Sequence, residues 1–258
     1  MTEEPKIIGI VSAKGGVGKT TTAVNLGASF INHFGKMTLI LDTNLTTGNL
    51  GLHLGFSYPQ PSLQDVLTYK ISLLNSIYTH NSGLHVIPSS LTTKEEFFNP
   101  VALKRRLKRL ASHYDVIILD SAPGLGQETR AAIKMADELI VVTSPDFPAL
   151  GTVTKTVELA RQLRTPIRGM VLNRTKGKGY ELQKHDVEGC MELPVLSSIP
   201  EDDKIHESIA ARMPVILYTP NSPAAKAFKK LSASILGEEA MVEGRSMLGI
   251  IKNFFMRR

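Results

Sequence analysis

The chain has 258 residues, 42% hydrophobic and 21% charged, with one cysteine, no tryptophan and a net charge of +6; that suffices to bury one large α/β core or two small ones and excludes a mainly disordered protein. Cys190 alone cannot build a disulfide framework or a thiolate zinc site and fits a reducing compartment. No apolar run approaches the ~20 residues needed to cross a bilayer, and the start, Met1-Thr-Glu-Glu-Pro-Lys6, is acidic without an apolar signal segment, so an intracellular protein is expected.

Apolar runs of strand length recur at Lys6–Ser12, Thr38–Asp42, Leu84–Ile87, Asp115–Asp120, Glu138–Thr143, Ile167–Asn173 and Val195–Ile199. They are rich in Ile, Val and Leu, as strands buried on both faces of a parallel sheet are. Amphipathic segments of helix length lie between most of them, among them Lys19–His33, Val101–Ser112, Leu150–Leu163 and Ser222–Leu236. The alternation predicts an α/β fold with a doubly wound, mostly parallel sheet flanked by helices, with ligands at the carboxyl ends of the strands. The domain is expected over residues 1–236, followed by a flexible linker, 237–244, and a distinct tail, 245–258.

The strongest signal is Ala13-Lys14-Gly15-Gly16-Val17-Gly18-Lys19-Thr20-Thr21, between the first strand and the first helix. Glycines let backbone amides approach a phosphate, and the new helix adds its positive end. Lys19 is expected on the β- and γ-phosphates and the Thr20 hydroxyl on Mg²⁺. A strict Walker pattern has Gly where Ala13 stands; this deviant form carries a second lysine, Lys14. Asp120 and Asp42 each end an apolar strand, where a carboxylate can hold Mg²⁺ directly or through water.

Lys14-Gly-Gly-Val-Gly-Lys-Thr-Thr21 resembles the signature of the MinD/ParA family of P-loop ATPases, and the likeness covers nearly the whole chain. Asp42-Thr-Asn-Leu-Thr-Thr-Gly-Asn-Leu50 resembles that family's first switch and Asp120-Ser-Ala-Pro-Gly-Leu125 its second. Val171-Leu-Asn-Arg174 and Ile199-Pro-Glu-Asp202 resemble its adenine-side segments. The resemblance implies bound ATP and Mg²⁺, slow hydrolysis stimulated by a protein partner, and a homodimer with ATP sandwiched at its interface. Lys14 is then supplied in trans to the partner's phosphates, and such a cation stabilises charge on the transferring group. Asn173 and Arg174 fall on the base side with Pro200 and Glu201. The Asn173 amide can donate and accept at once, which suits an adenine edge. One departure stands out: the family's Asp-x-Asp first switch has Asn44 at its second acid. An amide cannot accept a proton as a carboxylate does, so hydrolysis is expected to be impaired while ATP binding survives.

The tail, Arg245-Ser-Met-Leu-Gly-Ile-Ile-Lys-Asn-Phe-Phe-Met-Arg-Arg258, has no acid. On a helix, Met247, Ile250, Ile251, Phe254 and Phe255 form one apolar face, with Lys252 opposite and Arg257 and Arg258 at the end. Fourteen residues reach about 21 Å, too short for a ~30 Å hydrocarbon core, so the segment is expected to lie in an anionic membrane interface. Among the family this tail is most similar to the MinD branch, archaeal-type members in particular. The expectation is therefore a cytoplasmic ATPase held peripherally on the membrane, positioning a partner or assembly as in division-site placement. Two other readings stand beside it. One is a non-hydrolysing ATP-gated scaffold, on the strength of Asn44. The other is a ParA-type DNA partition ATPase, which the tail disfavours. The basic run Lys104-Arg-Arg-Leu-Lys-Arg109 is read as a solvated helix face, and the seven histidines show no metal-ligand spacing. A nitrogenase iron-protein relative is set aside, because a cluster needs more thiolates than Cys190 supplies.

Overall fold

A computed structural model describes residues 3–57, 60–90 and 99–238. The tail 245–258 and its apolar and basic residues therefore lie outside the described residues. All seven expected strands form: β1 (Lys6–Val11), β2 (Thr38–Asp42), β4 (His85–Ile87), β5 (Val116–Asp120), β6 (Glu138–Thr143), β7 (Ile167–Thr175) and β8 (Val195–Pro200). A two-residue strand, β3 (Tyr78–Thr79), joins them without having had an apolar run to announce it. The sheet order is β3-β4-β2-β5-β1-β6-β7-β8, and every neighbouring pair is parallel except β3 with β4.

Period-two alternation sends side chains to two separate cores. Ile7, Leu39, Leu41, Ile117, Leu119, Leu139 and Val141 face one side. There they meet Leu103 and Leu107 of α4 (Pro100–Lys108), Ile133 of α5 (Gln127–Met135) and Val153 of α6 (Phe147–Gln162). Ile8, Ile10, Ile40, Ile118 and Ile140 face the other side. They pack on Val24, Leu26 and Phe30 of α1 (Lys19–Phe34) and on Phe228 and Leu231 of α10 (Pro223–Leu236). Because both faces are covered, nearly every strand residue is apolar, which is why the strands were readable. The remaining helices are short: α2 (Leu50–His53), α3 (Leu63–Leu67), α7 (Lys184–Met191), α8 (Asp203–Ala210) and α9 (Val215–Tyr218).

Two expected helix boundaries move by more than one residue. α6 begins at Phe147 rather than Leu150, because the Asp146 side chain caps the amide of Ala149 and Pro148 suits the first turn. The helix expected over Val101–Ser112 ends at Lys108. Turns that bury Leu110 and Tyr114 follow, and they deliver Asp115 to Met37, whose amide donates to the Asp115 carboxylate at 2.7 Å.

The basic run on α4 is a solvated face only in part: Arg105 and Arg109 are exposed, whereas Lys104, Arg106 and Lys108 are engaged. Lys104 and Lys108 both bind Asp137, at 2.8 and 2.6 Å, and Arg106 donates to the Val66 carbonyl while its guanidinium covers the Tyr69 ring. Asp137 also accepts from the Ile7 amide at 2.9 Å. It follows α5 directly, so the α5–β6 turn puts a carboxylate beneath α4 that no local pattern in the run could announce. Burial tends to raise the Asp137 carboxyl, but hydrogen bonds from Lys104, Lys108 and Ile7 hold it below its ordinary value.

Candidate active site

The first βα turn supplies the phosphate loop. Gly16 and Gly18 have φ of 74° and 97°, values at which a side chain is strained. A Cβ on Gly18 would also collide with the Asn173 side-chain amide. Nothing lies within 4 Å of where a Cβ on Gly16 would sit, so the backbone there faces open space. The N-terminus of α1 carries no side-chain cap and no acid in its first turn. Its amides are thus available to an anion, the condition a phosphate cradle requires.

Lys19 is only 7% exposed, and burial lowers its ammonium pKa while the charge of Asp120 opposes the shift. Thr20 donates its hydroxyl to Asp120 Oδ2 at 2.7 Å. The other oxygen, Asp120 Oδ1, is buried and has no hydrogen-bond partner among the described residues. Such an orphan acceptor carries a desolvation cost, and a cation beside the Thr20 hydroxyl would satisfy it. These residues fit Mg²⁺. Asp42 is in register with Asp120 on the neighbouring strand. Burial pushes Asp42 up to about 6; burial and then the Asp42 charge push Asp120 up to about 7.

The two carboxylates are nevertheless differently occupied. Asp42 accepts from the Asn44 amide at 3.1 Å, the Leu50 amide at 3.2 Å and the Ser89 hydroxyl at 2.9 Å. It thus holds the first-switch loop by both ends, and Asp120 alone has an oxygen left over. Gly48 completes the packing, because a Cβ there would run into the Ser89 hydroxyl and Asp42 Oδ2. Asn44 is turned onto its own loop. Its amide nitrogen donates to the Thr47 carbonyl at 2.9 Å, and its oxygen accepts from the Thr47 amide and hydroxyl at 3.2 and 3.1 Å. Gln64 ties the same loop to the chain after β4, donating to the Leu45 carbonyl and accepting from the Ser90 amide. Thr46 donates to Glu128 at 2.6 Å, joining the loop to the start of α5.

Lys14 stands apart from this buried set. Its side chain is 45% exposed, and its ammonium lies 3.8 Å from Asp146 Oδ2. Asn173 lies within β7, donates to the Val17 carbonyl at 2.7 Å and leaves a buried Oδ1 without a partner among the described residues. Beside it an open cleft of about 700 Å³ runs along the carboxyl ends of β7 and β8, lined in part by Thr175, Lys176, Gly177, Pro200 and Glu201. Arg174 is exposed, with φ of 60°. Lys14 through Thr21, Asp42, Asn44, Asp120, Asn173, Pro200 and Glu201 thus all lie at or just beyond the carboxyl ends of the strands. Ser89, Gln64 and Asp146 are the additions that sequence reasoning missed. Ser89 follows β4 and was accessible to the strand-end rule; Asp146 was legible as a cap before Phe147-Pro148; Gln64 had no local signal.

A phosphate loop opening a helix, a threonine and an aspartate at its mouth and a parallel sheet behind define a P-loop nucleotide-binding protein. Comparison with known proteins agrees. Residues 5–171 match a family model described as an AAA domain. The chain is 34% identical to an uncharacterized ATP-binding protein of Methanocaldococcus jannaschii, over 97% of each chain. The cell division ATPase MinD of Pyrococcus furiosus superposes with a TM-score of 0.82 at 32% identity, over 90% of this chain and 98% of that one. The septum site-determining protein MinD of Pyrococcus horikoshii, complexed with Mg-ADP, gives 0.81 at 31%, over 90% and 96%. The chain belongs to the MinD/ParA family of P-loop ATPases.

A second model, described as 4Fe-4S iron sulfur cluster binding proteins of the NifH/frxC family, matches residues 109–249. This corrects the expectation that iron proteins are no relatives. The likeness extends over that half of the chain, yet Cys190 is its single cysteine and exposed, so the cluster's thiolate ligands are not carried with it.

Proposed function

We propose that this chain is a MinD-type, nucleotide-gated ATPase that dimerises around ATP, associates peripherally with the cytoplasmic face of the cell membrane and positions a partner or assembly there. The observation that carries the reading is the contrast between its two loop lysines. Lys19 is buried beside Asp120, while the Lys14 side chain is half-exposed and its ammonium makes, among the described residues, a single ion pair, with Asp146 at 3.8 Å. A cation displayed this way is free to serve phosphates on a second copy.

In this reading the loop amides, Lys19 and Thr21 hold the phosphates, and Thr20 and Asp120 hold Mg²⁺, which would neutralise charge on the transferring group. Asp42 serves that cation only indirectly, by shaping the loop that carries Asn44. Asn173 offers its unpartnered Oδ1 to an adenine amino group while its nitrogen secures the loop, with Pro200 and Glu201 along the base cleft. Residues 1–236 act as the ATPase domain, 237–244 as linker and 245–258 as the membrane-seeking helix. One tail binds weakly; pairing two raises avidity by roughly 10²–10⁴. ATP thereby controls attachment, and an activating protein would reset it. In this reading slow hydrolysis follows from the clasp that Thr47 makes on Asn44, and that same clasp also favours the second reading, an ATP-gated scaffold.

Lys14→Ala and the parent, each at saturating ATP and Mg²⁺, test the central step by analytical ultracentrifugation. The parent is expected to be dimeric and the variant monomeric with ATP still bound. A monomeric parent, with lipid present, defeats the reading.

A further inference from the structure

The last helix carries a charge pattern that the ATPase site does not use. From Ser222 to Gly237 the chain has three lysines, Lys226, Lys229 and Lys230, and no acid. Phe228, Leu231 and Ile235 bury one side of α10 in the core. At 100° per residue, Lys226 and Lys230 fall on the opposite side, where both are exposed, and half-buried Lys229 lies on its flank. None of the three makes an ion pair among the described residues, whereas the lysines of α4 are tied to Asp137. A row of unpaired, uncompensated cations on one outward face is a surface for an anion-rich partner.

The position of the helix narrows the partner. α10 starts beside the nucleotide end of the sheet, where its Ala224 amide donates to Asp202. It ends at the opposite edge, where Arg168 at the start of β7 donates to the Ser234 carbonyl and Lys36 pairs with Glu238 at 4.0 Å. Its lysines therefore lie along a flank, and a second copy covering the nucleotide end leaves them free. The described chain stops at Glu238, and the residues leading to Arg245 extend at most ~25 Å. The covalent connection thus limits how far from this flank any surface bound by the basic, apolar tail can be, and in the sequence the acids Glu238, Glu239 and Glu243 separate the two runs of cationic residues.

We propose that the outer face of α10, through Lys226, Lys229 and Lys230, is a second contact with an anionic lipid surface, laying the flank of the domain on the membrane beside the tail. The inference rests on the membrane association proposed above. It gives the domain a fixed orientation on the bilayer rather than a tether alone, and makes attachment depend on salt as well as on nucleotide.

The test uses the full chain with ATP and Mg²⁺, sedimented with phosphatidylcholine vesicles with and without phosphatidylglycerol. Lysines at such a surface contribute roughly fivefold each to binding. The K226Q/K229Q/K230Q variant is expected to bind the anionic vesicles at least tenfold more weakly than the parent, with unchanged ATP affinity. A control with the same loss of charge elsewhere, K134Q/K155Q/R161Q, is expected to bind as the parent does. Equal binding by the parent and the α10 variant, or an equal loss in the control, overturns the inference while the membrane reading stands. A parent that ignores anionic vesicles defeats the membrane reading itself, and this inference with it. Loss of duplex DNA retention in the α10 variant with vesicle binding intact makes the face a nucleic-acid surface and also overturns it.

Discussion

At the scale of single residues, Asn44 decides how the first switch behaves. Its three hydrogen bonds to Thr47 use both atoms of the amide. Asn44→Asp would oppose a carboxylate to the Thr47 carbonyl, open the turn and release an acid beside the phosphate loop. The variant is expected to hydrolyse ATP severalfold faster and to lose ~1–3 kcal/mol of stability, the cost of an unmatched acceptor pair. Steady-state phosphate release and urea unfolding read the two effects; lower stability with an unchanged rate would leave Asn44 as a loop clasp only. His80 gives a prediction with a sign. The Ser82 amide donates to its Nδ1 at 3.1 Å, so Nε2 carries the proton that reaches the Arg212 carbonyl at 3.0 Å. Burial lowers its pKa below the ordinary 6.5, against the raising effect of that carbonyl. Unfolded His80 therefore binds protons more readily than folded, and its contribution, complete above about pH 6.5, is lost as pH falls. The Tm advantage of the parent over His80→Gln is expected to shrink between pH 8 and pH 5.

At the scale of elements, the strands and the phosphate loop were legible because each obeys a local rule. Burial on both faces writes an unbroken apolar run, and a phosphate cradle needs glycines, a lysine and a helix start in fixed order. β3 escaped because two residues pairing at an edge leave no run. The fate of Lys104 and Lys108 escaped because their partner, Asp137, is on another turn of the chain, and the clasp on Asn44 because it depends on how the loop folds over Thr47. The roles of Ser89 and Gln64 arise from chain segments meeting in space: Ser89 holds Asp42 from 47 residues away, and Gln64 spans two loops. The Asp137 junction can be measured. Asp137→Asn removes the charge that two ammonium groups and the Ile7 amide share, and is expected to cost ~1–3 kcal/mol in urea unfolding with little change in ATP affinity. Loss of ATP binding at unchanged stability would show that this edge of the sheet communicates with the site instead.

At the scale of the whole molecule, α10 ends on Gly237 in the left-handed conformation, and no described helix is long and apolar enough to cross a membrane. Truncation before Gly244 is expected to cut vesicle recovery with ATP to the weak, salt-sensitive remainder that α10 supplies while leaving ATP binding and Tm unchanged; equal recovery of both forms counts against a membrane role for the tail. The sheet order has a separate consequence for how the chain is made. β1, which precedes the other described strands in the sequence, sits in the middle and pairs with β5 and β6, partners more than a hundred residues downstream, as in Lys6 with Val116 and Ile8 with Glu138. At ~5–20 residues per second it waits several seconds or longer on the ribosome before either neighbour emerges. Through that interval Ile7, Ile8 and Ile10 lack the two neighbours between which they are buried, and the apolar surface they leave open is available for wrong pairing until β6 has been made.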